Sequence, residues 1–380
     1  MVRILYATHG DSLSPKCENN GFYIRTALID NDLKVPPIST QGFTAHEKVV
    51  FGLKKTWHHA KREEYRAATE TTLFQRHARE VMRRSKGMKA DLVLANGSTV
   101  IVDPSQTLQY GFYADAPIVG LLHLGQYMDR WPERMVRNLI DLERRAAQGA
   151  AVRIYHSQWA VDVAVREYGV DSERTYAVLP GANIENVILD GESLNKSRQA
   201  KCHLLFFGRD WMRKGGDRAY SIHKHLISLG QPSVLNICGP ENLPTAVLND
   251  PTVTWHRPIN KSIPSDLRRL GDLFSASDYM ILPTLADTSR SAIREASAFG
   301  VPSVVTDVGG LGEMVSNGIS GILFTQTNRD SEISQSILGN FSDEGARMQM
   351  RAGARDIYEE HLNWKVAGQH IARIIKDQSR

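Results

Sequence analysis

Short apolar runs rich in Val, Ile and Leu alternate along this chain with longer segments of mixed polarity. The runs are Val2–Ala7, Leu92–Ala95, Ile118–Leu122, Val152–Tyr155 and Tyr176–Leu179, then Leu204–Phe207, Val234–Cys238, Tyr279–Leu282, Ser303–Thr306 and Gly321–Phe324. Unbroken apolar character of this kind is what a parallel strand covered on both faces requires. Helical segments are predicted between the runs, among them Phe22–Asp30, Trp159–Tyr168, Asp217–Leu229 and Ser291–Phe299. The stretch from Asp343 to Lys376 reads as helix with a break near Asn363. Repeated β–α units predict an α/β chain of doubly wound sheets. One segment, Asp190-Gly191-Glu192-Ser193-Leu194-Asn195-Lys196-Ser197, is polar and aperiodic, and reads as an interdomain linker.

Length agrees with that division, since 380 residues suit two domains of roughly 150–200 each. The expected organisation is an N-terminal acceptor-side domain over 1–187, a linker over 188–200 and a second domain over 201–355. A final helix over 356–380 is expected to pack back on the first domain. At 42% hydrophobic and 23% charged residues the composition is that of a globular protein. No apolar run approaches the ~18–20 residues that span a bilayer. The opening Met1–Tyr6 reads as a first strand and not as a signal peptide. Cys17, Cys202 and Cys238 are odd in number and show no C-x-x-C spacing, which speaks against a disulfide framework or zinc site and predicts a cytoplasmic protein.

The net charge of +4 is mild, but it is unevenly spread. Between Lys54 and Lys89 stand eleven Lys/Arg and four acids, with Trp57, Tyr65 and Phe74 among them. Such a stretch is either a solvated helix face or a peripheral contact with an anionic membrane inner face or acceptor. No nucleic-acid motif accompanies it. Asp30-Asn31-Asp32 has a D-x-D form, but it falls at a predicted helix end and is not expected to hold metal.

Two segments carry candidate chemistry. In Leu204–Asp217 a strand ends at Gly208, a loop holds Arg209 and Lys214, and a helix begins near Asp217. Arg binds a diphosphate bidentately and Lys acts on it as a point charge. There is neither a P-loop nor a dinucleotide fingerprint. In Tyr279–Pro302 a strand runs to Leu282, a loop contains Asp287, and Glu295 lies eight positions later inside a helix. The N–H groups of Thr288, Ser289 and Arg290 are expected to be free to hold phosphate at that helix start. The competing reading makes Asp287 a helix cap and Glu295 a surface acid paired with Arg294 or a neighbour.

The second segment resembles the E-x7-E region of retaining GT-B glycosyltransferases of the family 4 type (glycosyl transferases group 1). The likeness continues through Glu295-Ala296-Ser297-Ala298-Phe299-Gly300-Val301-Pro302-Ser303-Val304-Val305-Thr306-Asp307-Val308-Gly309-Gly310, Glu313 and Asn317–Leu323. The Gly208-Arg209…Lys214-Gly215 loop and Val178-Leu179-Pro180-Gly181-Ala182-Asn183 also match family motifs, in order. The resemblance is dense from about Val152 to Phe324 and weak before it.

This resemblance implies two Rossmann-like parallel-sheet domains facing across a cleft. It implies an enzyme of the EC 2.4 hexosyltransferase kind, moving a sugar with retention from a nucleotide-diphosphate sugar to a glycan, lipid-linked or small-molecule hydroxyl. Arg209 and Lys214 would hold the donor diphosphate, Glu295 the ribose and Asp287 the sugar, with Gly208, Thr288, Ser289 and Arg290 around them. Asp287 departs from the family's usual Glu, and Thr288-Ser289-Arg290 from its usual Gly-Phe-Gly type turn. His123, after the apolar run Val119–Leu122, would stand near the anomeric carbon, and Gly21 near the diphosphate. No cofactor and no essential metal is expected. A nucleotide-sugar epimerase, a phosphorylase, or a silent nucleotide-sugar binder of the same architecture are the alternatives.

Overall fold

The computed structural model describes residues 3–9, 20–40, 42–88, 90–100, 109–125, 127–184 and 200–378. Cys17, Glu18, Asn19, Lys89 and nearly all of the linker expected over 188–200 lie outside the described residues. The chain forms two compact units, one of Met1–Leu179 with Ala367–Arg380, the other of Pro180–Val366.

The first unit carries strands β1 (Ile4–His9), β2 (Pro37–Thr40), β3 (Leu92–Asn96), β4 (Tyr110–Ala114), β5 (Val152–Tyr155) and β6 (Thr175–Ala177). They pair in the order β2-β1-β3-β4-β5-β6, and every pair is parallel. Its helices are α1 (Gly21–Ile29), α2 (Ala45–Ala60), α3 (Thr71–Met88), α4 (Ile118–His123), α5 (Glu133–Gly149) and α6 (Gln158–Tyr168). All five residues of β4 are buried, as are all four of β5, and α3, α5 and α6 turn apolar stripes to the sheet.

One expectation is overturned here. Ile118–Leu122 is not a strand but the body of α4, and its neighbour Tyr110–Ala114 supplies the strand between β3 and β5. An apolar run alone cannot separate a buried strand from a buried helix. Pro117 decides it, since a fixed φ and a missing N–H suit a helix start. The buried Glu143 carboxylate then accepts the Ile118 N–H at 2.6 Å, together with the Ser98 and Tyr168 hydroxyls at 2.5 Å each.

The second unit carries β7 (Cys202–Phe207), β8 (Ser233–Cys238), β9 (Val253–His256), β10 (Tyr279–Leu282), β11 (Ser303–Thr306) and β12 (Gly321–Phe324). Its helices are α7 (Gly216–Ser228), α8 (Thr245–Leu248), α9 (Pro264–Ala276), α10 (Ser291–Ala298), α11 (Asp330–Ser342) and α12 (Glu344–Glu360). The parallel order β12-β11-β10-β7-β8-β9 reverses direction between β7 and β10. In open α/β sheets such a reversal leaves a crevice at the strand carboxyl ends. β10 and β11 are buried at every position, and each Leu, Ile or Val so covered contributes about 1.5–3 kcal/mol. The doubly wound α/β architecture read from the apolar runs is that of both units.

A last helix, α13 (Trp364–Gln378), starts in the second unit and ends in the first. The helical break expected near Asn363 separates it from α12. In the first unit it lies so close to α1 that a Cβ on Gly368 would meet the Ala27 Cβ at 2.7 Å. Lys376 Nζ donates to the Asn31 carbonyl at 3.4 Å and Gln378 to the Tyr176 hydroxyl at 2.9 Å.

Candidate functional site

The switch point between β7 and β10 is where the two sequence motifs meet. β7 ends at Gly208, and the chain then makes a compact turn before α7. Lys214 N–H donates to the Asp210 carbonyl at 3.0 Å and Gly216 N–H to the Trp211 carbonyl at 2.8 Å. Gly215 has φ +71, and a Cβ there would fall 1.9 Å from the Pro283 carbonyl oxygen. A Cβ on Gly216 would run into the Trp211 indole at 2.1 Å. The two glycines therefore let the cation-bearing turn press against the loop after β10.

That second loop is knitted to the first. Leu285 N–H donates to the Arg213 carbonyl at 2.9 Å, and Arg213 Nη1 to the Ala286 carbonyl at 3.2 Å. The Lys214 ammonium consequently meets the Asp287 carboxylate in a buried ion pair whose side chains are 1% and 5% exposed. Arg290 Nε lies 3.5 Å from the same carboxylate. A Cβ on Gly208 would sit 3.3 Å from Lys214 and 3.7 Å from Arg290, so both cations crowd the end of β7. Arg209 is exposed beside them.

Electrostatics follow from this packing. Burial pulls the Lys214 ammonium down to about 7; Asp287 opposes that, while Arg290 and Arg213 reinforce it. Burial pushes the Asp287 carboxyl up, but Lys214 and Arg290 outweigh it and hold the group below the usual carboxylate range. Asp210 pairs with Arg213 at 3.1 Å, so two carboxylates, Asp287 and Asp210, stand among Lys214, Arg213 and Arg290, a cation excess that suits an anion.

Neither competing reading of the carboxylates survives. Asp287 does not cap α10, whose N-cap is Arg290. Its Oδ1 accepts the Thr288 N–H at 3.1 Å, so that amide, expected to be free, is already used. Thr288 is buried, and its carbonyl accepts the Gly310 N–H at 3.2 Å. The Ser289 hydroxyl accepts from Arg294 Nη1 at 2.9 Å, and Arg294 Nε donates to the Gly181 carbonyl at 2.9 Å. Arg294 is therefore an internal strut between α10 and the Pro180–Asn183 turn, not a partner of Glu295.

Glu295 is not a surface acid but 0% exposed, and it pairs with Lys261 at 2.5 Å. Its second oxygen, Oε2, is buried without a hydrogen-bond partner among the described residues. Lys261 was not legible beforehand, because it stands in the aperiodic turn before α9, 34 positions from Glu295. Arg213 and Arg294 were also missed, the first hidden inside the Arg209–Lys214 loop, the second next to the acid that drew attention.

The other two expected residues belong to the first unit. His123 closes helix α4 and does not end a strand; its ring Nε2 is 3.9 Å from Glu167 Oε1 and its side chain 46% exposed. Gly21 is the buried first residue of α1. Asp30 is the C-cap of α1, and Asp32 sits at φ +63. No group of three or more His, Cys, Asp or Glu that could hold a metal ion occurs among the described residues. Cys202 and Cys238 are buried free thiols; burial pushes the Cys238 thiol up to about 11.

Comparison with known proteins agrees with the motifs. Residues 201–343 match the family model described as glycosyl transferases group 1, the family that the motifs resemble. A D-inositol 3-phosphate glycosyltransferase of Xylanimonas cellulosilytica is 29% identical over 206 residues, covering 50% of this chain and 48% of that one. Its counterpart from Streptomyces bingchenggensis is 27% identical over 253 residues, covering 61% and 54%. The chain thus spans about half the length of the curated relatives it matches. Among solved structures, sucrose-phosphate synthase from Thermosynechococcus elongatus superimposes with TM-score 0.70 at 14% identity, over 99% of each chain. WaaG, a glycosyltransferase involved in lipopolysaccharide biosynthesis, gives 0.64 at 16% identity, over 98% of this chain and 99% of that one. Anabaena HepE, solved in complex with UDP, gives 0.63 at 15% identity, over 99% and 100%. The two-domain GT-B fold class is shared with these structures.

Proposed function

We propose that this chain, whose residues 201–343 match the group 1 glycosyl transferases, moves a sugar from a nucleotide-diphosphate sugar to an acceptor hydroxyl with retention of configuration. The observation that carries the reading is the knitted pair of loops at the β7/β10 switch point. It places Lys214, Arg213 and Arg290 around a single buried carboxylate. When a sugar–phosphate bond breaks, negative charge gathers on the departing diphosphate, and preorganised cations stabilise that charge most in a water-poor site. Lys214 and Arg209 are assigned to the diphosphate, with Arg290 and the end of β7 at Gly208 beside them. Glu295 is assigned to the nucleoside ribose.

Retention is proposed from the likeness of the motifs to the retaining family 4 type. Asp287 is engaged by Lys214 and by Thr288 N–H, and Glu295 by Lys261. Neither is assigned as a hydrolase-type nucleophile; the departing diphosphate is assigned to receive the acceptor proton on the same face. Asp287 in this account holds Lys214 and reaches the donor sugar only secondarily. The roles of His123 and Gly21 rest on the family resemblance alone. Diphosphate binding here rests on side-chain cations, and no metal is assigned to it.

Incubating the protein with a panel of nucleotide sugars, with and without acceptors, tests the reading. Acceptor-dependent release of a nucleoside diphosphate, with a product whose anomeric configuration matches the donor, is expected. A changed sugar without nucleotide release would mean an epimerase, phosphate-dependent release a phosphorylase, and binding without product a silent binder.

For the partner surface, α2 is the relevant element. Val49, Leu53 and Trp57, each four residues from the next, are 63%, 69% and 55% exposed, and Lys48, Lys55 and Lys61 flank them. An exposed apolar stripe edged by lysines suits peripheral contact with an anionic lipid surface, which together with the free thiols favours the cytoplasmic side of a membrane. Co-sedimentation with vesicles containing anionic lipid, lost in Leu53→Asp, is expected; equal binding by both proteins would refute it.

A further inference from the structure

Glu295 is a buried acid with half of its hydrogen-bonding capacity unspent. Its Oε1 receives the Lys261 ammonium at 2.5 Å, while Oε2 has no partner among the described residues. Buried carboxylate oxygens ordinarily accept hydrogen bonds, so one left open lacks a donor that another molecule brings. The residues from Ala292 to Ala298 around it on α10 are all buried. Lys261 keeps its side chain 15% exposed, whereas that of Glu295 is 0% exposed.

Lys261 lies outside every motif by which the site was first read. It stands in the turn Asn260-Lys261-Ser262-Ile263 between β9 and α9, and the surrounding turn is firmly built. Asp266 accepts the Asn260 N–H at 2.8 Å and Arg257 Nη2 at 2.6 Å, while Asn260 Oδ1 accepts the Ser262 N–H at 3.0 Å. A lysine on a fixed turn, reaching a carboxylate on a different helix, can hold that acid in one rotamer.

We propose that Lys261 is a positioning residue of the donor site: it holds Glu295 through Oε1 so that Oε2 remains an acceptor for a ribose hydroxyl of the nucleotide. The inference rests on the nucleotide-sugar reading above. It assigns to Lys261 discrimination between a ribose and a sugar lacking both hydroxyls. It gives Lys261 no part in bond breaking.

The test uses calorimetric titration of the whole protein with UDP, GDP and ADP, then with the 2′,3′-dideoxy form of whichever binds most tightly. Lys261→Met is expected to weaken the ribonucleotide about tenfold, on the scale of one hydrogen bond to a charged group. Lys261→Arg should restore most of that affinity. The dideoxy nucleotide should bind wild type and Lys261→Met alike. In turnover the change should appear in KM for the donor, with kcat within about twofold. Circular dichroism and a thermal melt establish that each variant is folded; if Lys261→Met is not, wild type against Lys261→Arg on the ribo and dideoxy pair decides. In that comparison, discrimination against the dideoxy form that is unchanged by Arg supports the proposal, and its absence in wild type overturns it. Equal loss on ribo and dideoxy ligands, or no loss, overturns the role of Lys261 and leaves the nucleotide-sugar reading standing. Failure of all three diphosphates to bind wild type removes that reading and this inference together.

Discussion

Two buried ammonium–carboxylate pairs are anchored eight positions apart on the segment that follows β10, and their surroundings are opposite. At Asp287 the carboxylate is outnumbered: Lys214 is sealed against it, Arg290 stands 3.5 Å away, and the Thr288 N–H takes the other oxygen. At Glu295 the carboxylate has one cation, Lys261, and an idle oxygen. The first pair is short of negative charge and the second short of hydrogen-bond donors. A nucleotide-diphosphate sugar carries both remedies on one molecule, a diphosphate and a ribose diol. Under the proposed function, the difference between the pairs assigns the diphosphate to the first and the ribose to the second.

The sharpest way to break this comparison is to remove Asp287. Lys214, 1% exposed, would then be buried among Arg290 and Arg213 with no counterion. Asp287→Asn is expected to cost about 3 kcal/mol or more in denaturant unfolding. The loss should grow as pH falls below about 7, where the buried ammonium is fully charged. A loss under about 1 kcal/mol at pH 6 would mean that the pair is not the electrostatic keystone of these loops.

Next in size is the effect on turnover. Arg209→Ala and Lys214→Ala are each expected to lower kcat on the order of 10²-fold, the scale of removing one preorganised charge-stabilising donor. Near-wild-type kcat in both folded variants would dismiss the diphosphate assignment.

The smallest effect is in proton linkage. Burial pulls Lys214 down to about 7, so above that pH it loses its proton, and a diphosphate binding against it would restore the charge. Nucleotide diphosphate binding is therefore expected to take up a proton between about pH 7.5 and 9. Affinity should fall by up to about tenfold per pH unit there, the 1.36 kcal/mol that one unit represents. Titration in buffers of different ionisation enthalpy measures the uptake; flat affinity across that range would place Lys214 away from the phosphate.

How much of this was readable without coordinates depends on the range of the forces involved. In the second unit the runs Leu204–Phe207, Val234–Cys238, Tyr279–Leu282, Ser303–Thr306 and Gly321–Phe324 fall on β7, β8, β10, β11 and β12 with ends within one or two residues. Their strands are buried on both faces, which writes burial into consecutive residues. β9 was missed because Thr254 and Trp255 are exposed there and break the run. α4 reads as a strand in the sequence because Ile118–Leu122 is apolar throughout, with no polar position to show a helical period, although only Ile118 and Gly120 of it are buried. Arg209, Lys214, Asp287 and Glu295 were legible as residue types at junctions. That Lys214 closes on Asp287 was not, since the ion pair spans 73 positions and depends on Gly215 passing the Pro283 carbonyl. Lys261 was invisible for the same reason.

The return of α13 to the first unit has a consequence for biosynthesis. The second unit is one continuous stretch whose two ends meet: Ala182 N–H donates to the Leu362 carbonyl at 2.9 Å, and Gly181 abuts Trp364 so closely that a Cβ would overlap its backbone nitrogen. The first unit is discontinuous and takes its last layer from Ala367 onward. On the ribosome the earlier-encoded residues therefore do not amount to a finished unit until the last helix has been made. Through the synthesis of Pro180–Val366, the face of α1 that Gly368 will cover stays open.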